Sequence, residues 1–444
     1  MTTRQWHEPH SIRDPVTGLV QRDAFVGKIT EALERTKRDD TALALLVFNL
    51  DNFSDVNDRV GQPAGDSLLA AVAERLKGSL RPNDTIARFV ADEFGILLEG
   101  MTYAGAAEVA ERIGASLNMP FDVLGREIFI GGSIGLCVDY AGEQTSEEIL
   151  SNADVALYTA KTGGKGRAEI YEPGMHGAVI ARLQLEAELR HAVENQELIL
   201  NYQPLIDLES GKVVALEALV RWTHADRGPV SPAEFVPMAE NADLMKIIGR
   251  FVIEEVCRQA ERLAAAYPGR PPLDLTINLS FKQLFDPDFP EEAARILRGS
   301  GVQPQRLVFE ISEEVLMKDT ETATTALEEL KAVGVKLAID DFGTGYSSLI
   351  YLQRFPIDAI KIDKQFIDGG LAGRLQDSSL ARLIVELGKS LGLRIIAEGV
   401  ERIDHLNEVK AMEFDAAQGY FFAKPLSSDE VMQFLAKGYD EGGA

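Results

Sequence analysis

The sequence predicts an α/β protein of two domains: an N-terminal domain with a central antiparallel-rich sheet flanked by helices, then a TIM-type (β/α)8 barrel. Three observations carry this reading. The 444 residues exceed what one ordinary core holds. Apolar runs of strand length alternate with helical patterns along the whole chain. In the second half, eight short apolar strands recur over about 250 residues, the size of such a barrel.

The first half reads as a helix over Ala24–Lys37, an apolar strand at Ala42–Leu50 and a helix over Gly65–Leu80. Strand-like runs at Thr85–Phe89 and Phe94–Leu98 flank Val90–Glu93, which reads as a hairpin turn. A helix over Tyr103–Leu117, a strand pair near Phe121–Val138 and a helix over Ser146–Lys161 complete the unit. The Gly-rich turn at Gly163–Gly166, followed by Tyr171–Gly174, marks the boundary. Domain one is expected over 1–172 and the barrel over 196–444. Between them, Leu185, Leu189 and Val193 recur at helical spacing and predict a connecting helix over 173–195.

The eight barrel strands are expected at Leu198–Pro204, Val213–Val220, Leu273–Leu279, Leu307–Ile311, Lys336–Ile339, Ala359–Ile362, Arg394–Ala397 and Ala416–Phe422. Helices separate most of them, for instance over Pro232–Ala265, Thr322–Val333 and Leu380–Leu391.

Composition narrows the function classes. The net charge of −25 argues against a nucleic-acid binder, which needs a basic face. The two cysteines, Cys137 and Cys257, lack zinc or disulfide spacing and suit a reducing cytoplasm. The N-terminal residues hold no apolar signal core. The longest apolar run, near Ala42–Phe48, is far below the roughly 20 residues that span a bilayer. The expectation is a soluble, cytoplasmic chain without a membrane segment, compatible with a longer, membrane-attached parent.

The strand ends carry the chemistry. Glu217, Asn278, Glu310, Asp340 with Asp341, Lys361, Glu398 and Gln418 each close an apolar barrel strand. Barrel active sites lie at that end. So many carboxylates in one mouth repel strongly unless cations sit between them. Oxygen-only ligands select Mg2+ or Mn2+ over zinc. Adjacent Asp340 and Asp341 suit two metal ions, which activate water against a phosphodiester. Lys361 could orient that water or steady phosphate charge. A single strand-end carboxylate is more often a cap or surface ion pair. Glu31-Ala32-Leu33 repeats the tripeptide at Glu217 on an amphipathic helix, where it carries no chemistry.

Glu217-Ala218-Leu219-Val220-Arg221-Trp222 resembles the signature of the EAL-domain cyclic di-GMP phosphodiesterases. The likeness extends to Tyr202-Gln203-Pro204, Asn278-Leu279-Ser280, Glu310–Glu313, Asp340–Gly345, Lys361–Asp363, Ala397–Glu401 and Gln418–Tyr420. The resemblance implies that Glu217, Asn278, Glu310, Asp340 and Asp341 hold two divalent metals. It implies that Lys361, Glu398 and Gln418, with Glu217, activate water, and that Gln203, Leu219 and Arg221 touch the dinucleotide. Glu313 and the loop Asp341–Ser347 are implicated in positioning the metals and in dimer contacts. The implied product is linear pGpG.

The first half resembles the GGDEF-domain diguanylate cyclases through Arg88–Phe94, Asp14–Leu19 with Arg22, Asn57-Asp58, Gly65-Asp66 and Ala153–Tyr158 with Lys161. Two departures stand out. The family's paired glycines are Val90 and Ala91, although glycine suits a tight hairpin at positive φ. Asn49 stands where the family's first metal-binding Asp belongs, which removes a charge facing Mg2+. Asp92 and Glu93 remain, as do Asn57 and Asp66, which by resemblance read guanine. Arg81 and Asp84 match the family's inhibitory cyclic di-GMP site, and equally suit a solvated turn. Lys161 and Lys165 suit GTP phosphates, or a charged helix end favoured by the dipole.

The implied function is hydrolysis of cyclic di-GMP, tuned by an impaired cyclase domain that binds GTP or cyclic di-GMP, in a homodimer. A bifunctional cyclase and phosphodiesterase, and a non-enzymatic cyclic di-GMP receptor, are the alternatives.

Overall fold

The computed structural model describes residues 13–140, 142–343, 352–366 and 375–437. The chain divides between Gln184 and Leu185 into two compact units. That division falls inside the helix Met175–Glu194, whose Leu185, Leu189, Ala192 and Val193 are buried in the core of the second unit.

The first unit is built on a six-stranded sheet. In spatial order it runs Val20–Gln21, Thr85–Arg88, Glu93–Glu99, Ala42–Leu50, Gly132–Tyr140 and Ala168–Ile170. Only the two edge pairings are parallel. The central strand Ala42–Leu50 explains its unbroken apolar run: successive side chains point to opposite faces, and both faces are covered. Leu43, Leu45 and Val47 pack into one core, while Ala44, Leu46, Phe48 and Leu50 pack into the other. The helices are Arg22–Asp39, Phe53–Val60, Gln62–Ser79, Tyr103–Leu117 and Ser146–Thr162. The last begins with a capping box between Thr145 and Glu148. The helix Phe53–Val60 was not expected; Phe53, Val56 and Val60 do recur at helical spacing and pack on one core, but eight residues are too short a window for that period to stand out.

The second unit is an eight-stranded closed barrel. Strands Val213–His224, Asp274–Asn278, Leu307–Ser312, Lys336–Phe342, Ala359–Ile362, Arg394–Ala397 and Ala416–Ala417 follow one another in parallel. The strand Ile199–Asp207 closes the ring and runs antiparallel to both of its neighbours. Two differences from expectation have local causes. The last strand pairs over only two residues, because Gln418 and its successors bend away to bond Val400. The expected helix over Pro232–Ala265 is two helices, Pro232–Asn241 and Met245–Ala266, separated at Asp243, which sits at φ 57°.

Inside the barrel, Leu205, Ala215, Val308, Ala338, Ala359, Ile396 and Ala416 form a small apolar cluster of their own. Strand periodicity then places the side chains two residues further on in the next layer of the same interior. That layer is where the chemistry lies.

Candidate active site

Stepping two residues from the apolar cluster along each strand gives Gln203, Glu217, Glu310, Asp340, Lys361, Glu398 and Gln418. Gln203 is reached in the reverse direction, because its strand runs the other way. Lys361 is fully buried, and its ammonium contacts four carboxylates. Nζ lies 2.6 Å from Glu398 Oε1, 3.0 Å from Glu310 Oε2, 3.3 Å from Glu217 Oε2 and 3.4 Å from Asp340 Oδ1. Glu217 also accepts from Asn278 Nδ2 at 2.8 Å and from Gln418 Nε2 at 2.5 Å. Gln418 Nε2 reaches Gln203 Oε1 at 3.0 Å, and Gln203 Nε2 donates to the Ala423 carbonyl.

These contacts sort the charges. Burial opposes ionisation of Glu217, but Lys361 and hydrogen bonds from Gln418 and Asn278 outweigh it and hold the carboxyl below its ordinary pKa. Glu310 is pushed well above its ordinary value by burial; Lys361 opposes this, and the other carboxylates reinforce it. Glu398 is pushed up to about 8, again by burial first, with Asp340 and Glu217 acting against Lys361. Burial alone would discharge Lys361, yet the surrounding carboxylates raise its pKa well above normal. One cation therefore serves more acids than it can neutralise.

Asp340 and Asp341 depend on an irregularity. In a regular strand, adjacent side chains face opposite ways. Here the pairing register shifts between Ile339 and Phe342, and Asp341 sits at φ 52°. Such a bulge re-aims a side chain. As a result, one oxygen each from Asp340, Asp341 and Glu398 lies within 4.8 Å of the others. Burial and the neighbouring Asp340 raise the Asp341 pKa, and Asp363 adds to this. Asp363 thus borders the acidic group, a position the strand-end reading passed over because it follows Lys361 by two residues.

The donor set fits hard divalent cations: it offers only oxygens, and its surplus negative charge holds protons at ordinary pH. The structure gathers Glu398 with the two aspartates, whereas the sequence reading grouped Glu398 with the water-activating residues. Glu217 and Glu310 point at Lys361 instead.

Leu219 and Arg221 share the face of Glu217 at two-residue spacing on Val213–His224. Both are half-buried, and Arg221 Nη1 donates to the Val220 carbonyl. Glu313 is buried at the start of the helix Glu313–Lys318 and accepts from the Gly343 N–H at 2.8 Å. Gly343 itself sits at φ 95° against Phe366. The remainder of the expected loop, Thr344–Ser347, lies outside the described residues.

In the first unit the hairpin corrects one expectation. The burden of positive φ falls on Ala91 alone, at 51°; Val90 avoids it and projects 67% exposed. Arg88 clamps the turn, donating to the Ala91 carbonyl and to Asp14. Asn49 pairs across the sheet with Glu93. Burial raises the Glu93 pKa, Asp154 and half-buried Asp92 add to this, and Lys161 and Arg22 oppose it. Arg22 and Asp154 therefore belong to this neighbourhood, though no strand-end signal marks them. Lys161 lies in the last turn of Ser146–Thr162, while Lys165 Nζ donates to Asn52 at 2.8 Å. Asn57 Oδ1 is buried without a hydrogen-bond partner among the described residues. A Cβ at Gly65 would lie 2.0 Å from it, so Gly65 makes room for Asn57. Neighbouring Asp66 is exposed. Asp84 accepts from the Arg81 N–H at 2.8 Å and closes a turn, which leaves the Arg81 side chain in solvent.

A barrel with a buried carboxylate–lysine layer at one end defines an α/β-barrel protein with an enzyme-like mouth. The chain belongs to the EAL domain family, which matches residues 186–425, and residues 11–167 match the diguanylate cyclase, GGDEF domain. It is 35% identical over 426 residues to "Bifunctional diguanylate cyclase/cyclic di-GMP phosphodiesterase MucR" of Pseudomonas aeruginosa, covering 96% of this chain and 62% of that protein. It is 34% identical to "Cyclic di-GMP phosphodiesterase PdeR" of Escherichia coli, covering 93% and 61%. The chain thus spans half to two thirds of the length of these curated relatives. The solved structure "PaMucR Phosphodiesterase, c-di-GMP complex" superposes with a TM-score of 0.53 at 36% identity, covering 56% of this chain and 99% of that one. The Vibrio cholerae LapD S helix-GGDEF-EAL structure shares the fold over 92% of this chain and 95% of that one, with a TM-score of 0.58 at 21% identity. Among the described residues, no helix is long and apolar enough to cross a membrane.

Proposed function

We propose that the barrel hydrolyses cyclic di-GMP to pGpG with two divalent cations, Mg2+ or Mn2+. The observation that carries this is the buried layer of Glu217, Glu310, Asp340 and Glu398 around Lys361, with Asp341 at its edge. Bound divalent ions would supply Lewis-acid polarisation of the phosphate and a more acidic water. Asp340, Asp341 and Glu398 would hold the ions, together with Glu217, Asn278 and Glu310. Lys361 keeps its proton, orients the attacking water through Glu398 and balances charge developing on the phosphate. Gln418 fixes Glu217, while Gln203, Leu219 and Arg221 seat the dinucleotide. Glu313 steadies the loop that follows the two aspartates. The test is nucleotide analysis of purified protein incubated with cyclic di-GMP and either metal, beside Glu217→Ala. No turnover by folded protein at saturating metal overturns the reading, and binding without turnover points to a receptor instead.

The GGDEF unit is proposed as an impaired cyclase that retains GTP or cyclic di-GMP binding and tunes the barrel through the linking helix of a homodimer. Asn49 opposite Glu93 and the strained Ala91 support impairment. A bifunctional reading draws on the retained Asp92 and Glu93. GTP conversion measured in the Glu217→Ala background separates the two, since any cyclic di-GMP formed there accumulates.

A further inference from the structure

Away from the catalytic mouth, the barrel carries a second concavity where its strands begin. Two adjoining cavities of about 300 and 610 Å3 share Arg270, Pro271, Pro272, Leu273, Arg306 and Leu435. Leu273 precedes Asp274–Asn278, Arg306 precedes Leu307–Ser312, and Val213 and Arg394 open their strands. Every one of these is an N-terminal strand end, opposite the end that bears Glu217 and Glu398.

The walls are pre-formed. Tyr267 Oη donates to the Met432 carbonyl at 2.7 Å, and Arg270 Nη1 donates to the Leu435 carbonyl at 3.3 Å. These bonds hold the helix Ser428–Lys437 over the segment Tyr267–Leu273. The apolar lining comes from Leu263, Tyr267, the two prolines and Leu435. Prolines fix the backbone and add no donor, so this wall stays dry and rigid.

The charges around it do not cancel. Lys212, Arg270, Arg306 and Arg394 line the combined cavity, against Glu261 and Asp274. Asp274 is already held by Arg306 and Lys336, and Arg394 is held by Asp207. Arg270 stacks near the Tyr267 ring and has no carboxylate partner among the described residues, and neither has Lys212. In a chain of net charge −25, four cations against two acids around one concavity are a local reversal of sign.

We propose that this concavity is a binding site for an amphipathic anion, with an apolar body in the Tyr267–Leu435 cavity and one carboxylate or phosphate between Arg270 and Lys212. A guanidinium stacked on an aromatic ring keeps donors available for such a group. The volume suits a body of small-molecule size.

The experiment is calorimetric titration of the full chain with octanoate, octanol and acetate. Octanoate is expected to bind with one-to-one saturation, and octanol and acetate at least tenfold more weakly. Arg270→Glu combined with Lys212→Glu weakens octanoate tenfold or more, while Ala264→Trp, which fills the cavity, removes binding. Unchanged thermal unfolding midpoints show that these variants fold. Absence of octanoate binding, equal binding of octanol, or indifference to the charge reversal in folded protein each overturns the proposal. To separate two sources of the anion, octyl phosphate replaces octanoate: tighter binding marks a phosphate ligand, weaker binding a carboxylate.

Discussion

Lys361 Nζ lies 2.6 Å from Glu398 Oε1, the shortest of its four carboxylate contacts, with Lys361 fully out of solvent. The pair organises the barrel mouth. Removing the ammonium leaves buried like charges facing one another, and breaking a buried ion pair on one side costs about 3–5 kcal/mol. Lys361→Met is therefore expected to lower stability by that order in chelator-treated protein, measured by denaturant unfolding. Added Mn2+ should restore part of the loss.

Glu217→Gln keeps the shape of the side chain and most of its hydrogen bonds but removes its charge. Hydrolysis of cyclic di-GMP is expected to fall about 100-fold or more, within the range for losing a positioned catalytic group. Steady-state assays at saturating metal check this. A fall confined to KM would show that Glu217 serves binding alone.

The raised carboxylates set a pH dependence. The Glu398 pKa rises in the fold to about 8, so the folded state holds a proton that the unfolded chain has released. That contribution is complete below the unfolded value and is lost as pH rises through about 8. Metal-free protein should lose thermal stability between pH 5 and pH 8.5, and Glu398→Gln should flatten that slope. A midpoint that climbs over this interval contradicts the assignment.

Gly419 admits no side chain: a Cβ there would lie 2.1 Å from the Val400 carbonyl oxygen. Gly419→Ala must push the Glu398–Val400 segment away from Gln418. We expect about 1–3 kcal/mol of destabilisation. Activity should fall with it, and should fall further than in variants of equal stability elsewhere in the barrel.

The hairpin of the first unit gives the opposite sign. Ala91 at φ 51° carries strain that glycine lacks. Ala91→Gly should stabilise this unit by about 1 kcal/mol, read as slower hydrogen exchange over residues 85–99. With Asn49 unchanged, GTP turnover should not appear.

The barrel was legible because its strands are apolar and each ends in a polar residue. Period 2 spacing from Ala215 to Glu217, or Ala359 to Lys361, sets the site on one interior layer. Contacts between strands remote in sequence were not legible. Nothing in Ala359–Ile362 reveals that Lys361 meets four acids, because those acids come from four other strands. The bulge at Asp340-Asp341 was equally hidden, since two adjacent aspartates read the same in a regular strand. The first barrel strand was found, but its reversed direction depends on closure of the ring. At Arg81-Pro82-Asn83-Asp84 the sequence supported a ligand site and a solvated turn alike, and the turn that Asp84 closes on the Arg81 N–H is compatible with both.

The apolar cluster beneath the charged layer has a consequence for proton traffic. Leu205, Ala215, Val308, Ala338, Ala359, Ile396 and Ala416 fill the barrel from below with side chains that neither donate nor accept, and the eighth strand adds only the Thr276 hydroxyl, buried without a hydrogen-bond partner among the described residues. Glu310, Glu398 and Lys361 therefore meet bulk water most directly through the open end. A ligand seated there narrows that route, so the protonation it finds on arrival is held longer during the chemistry.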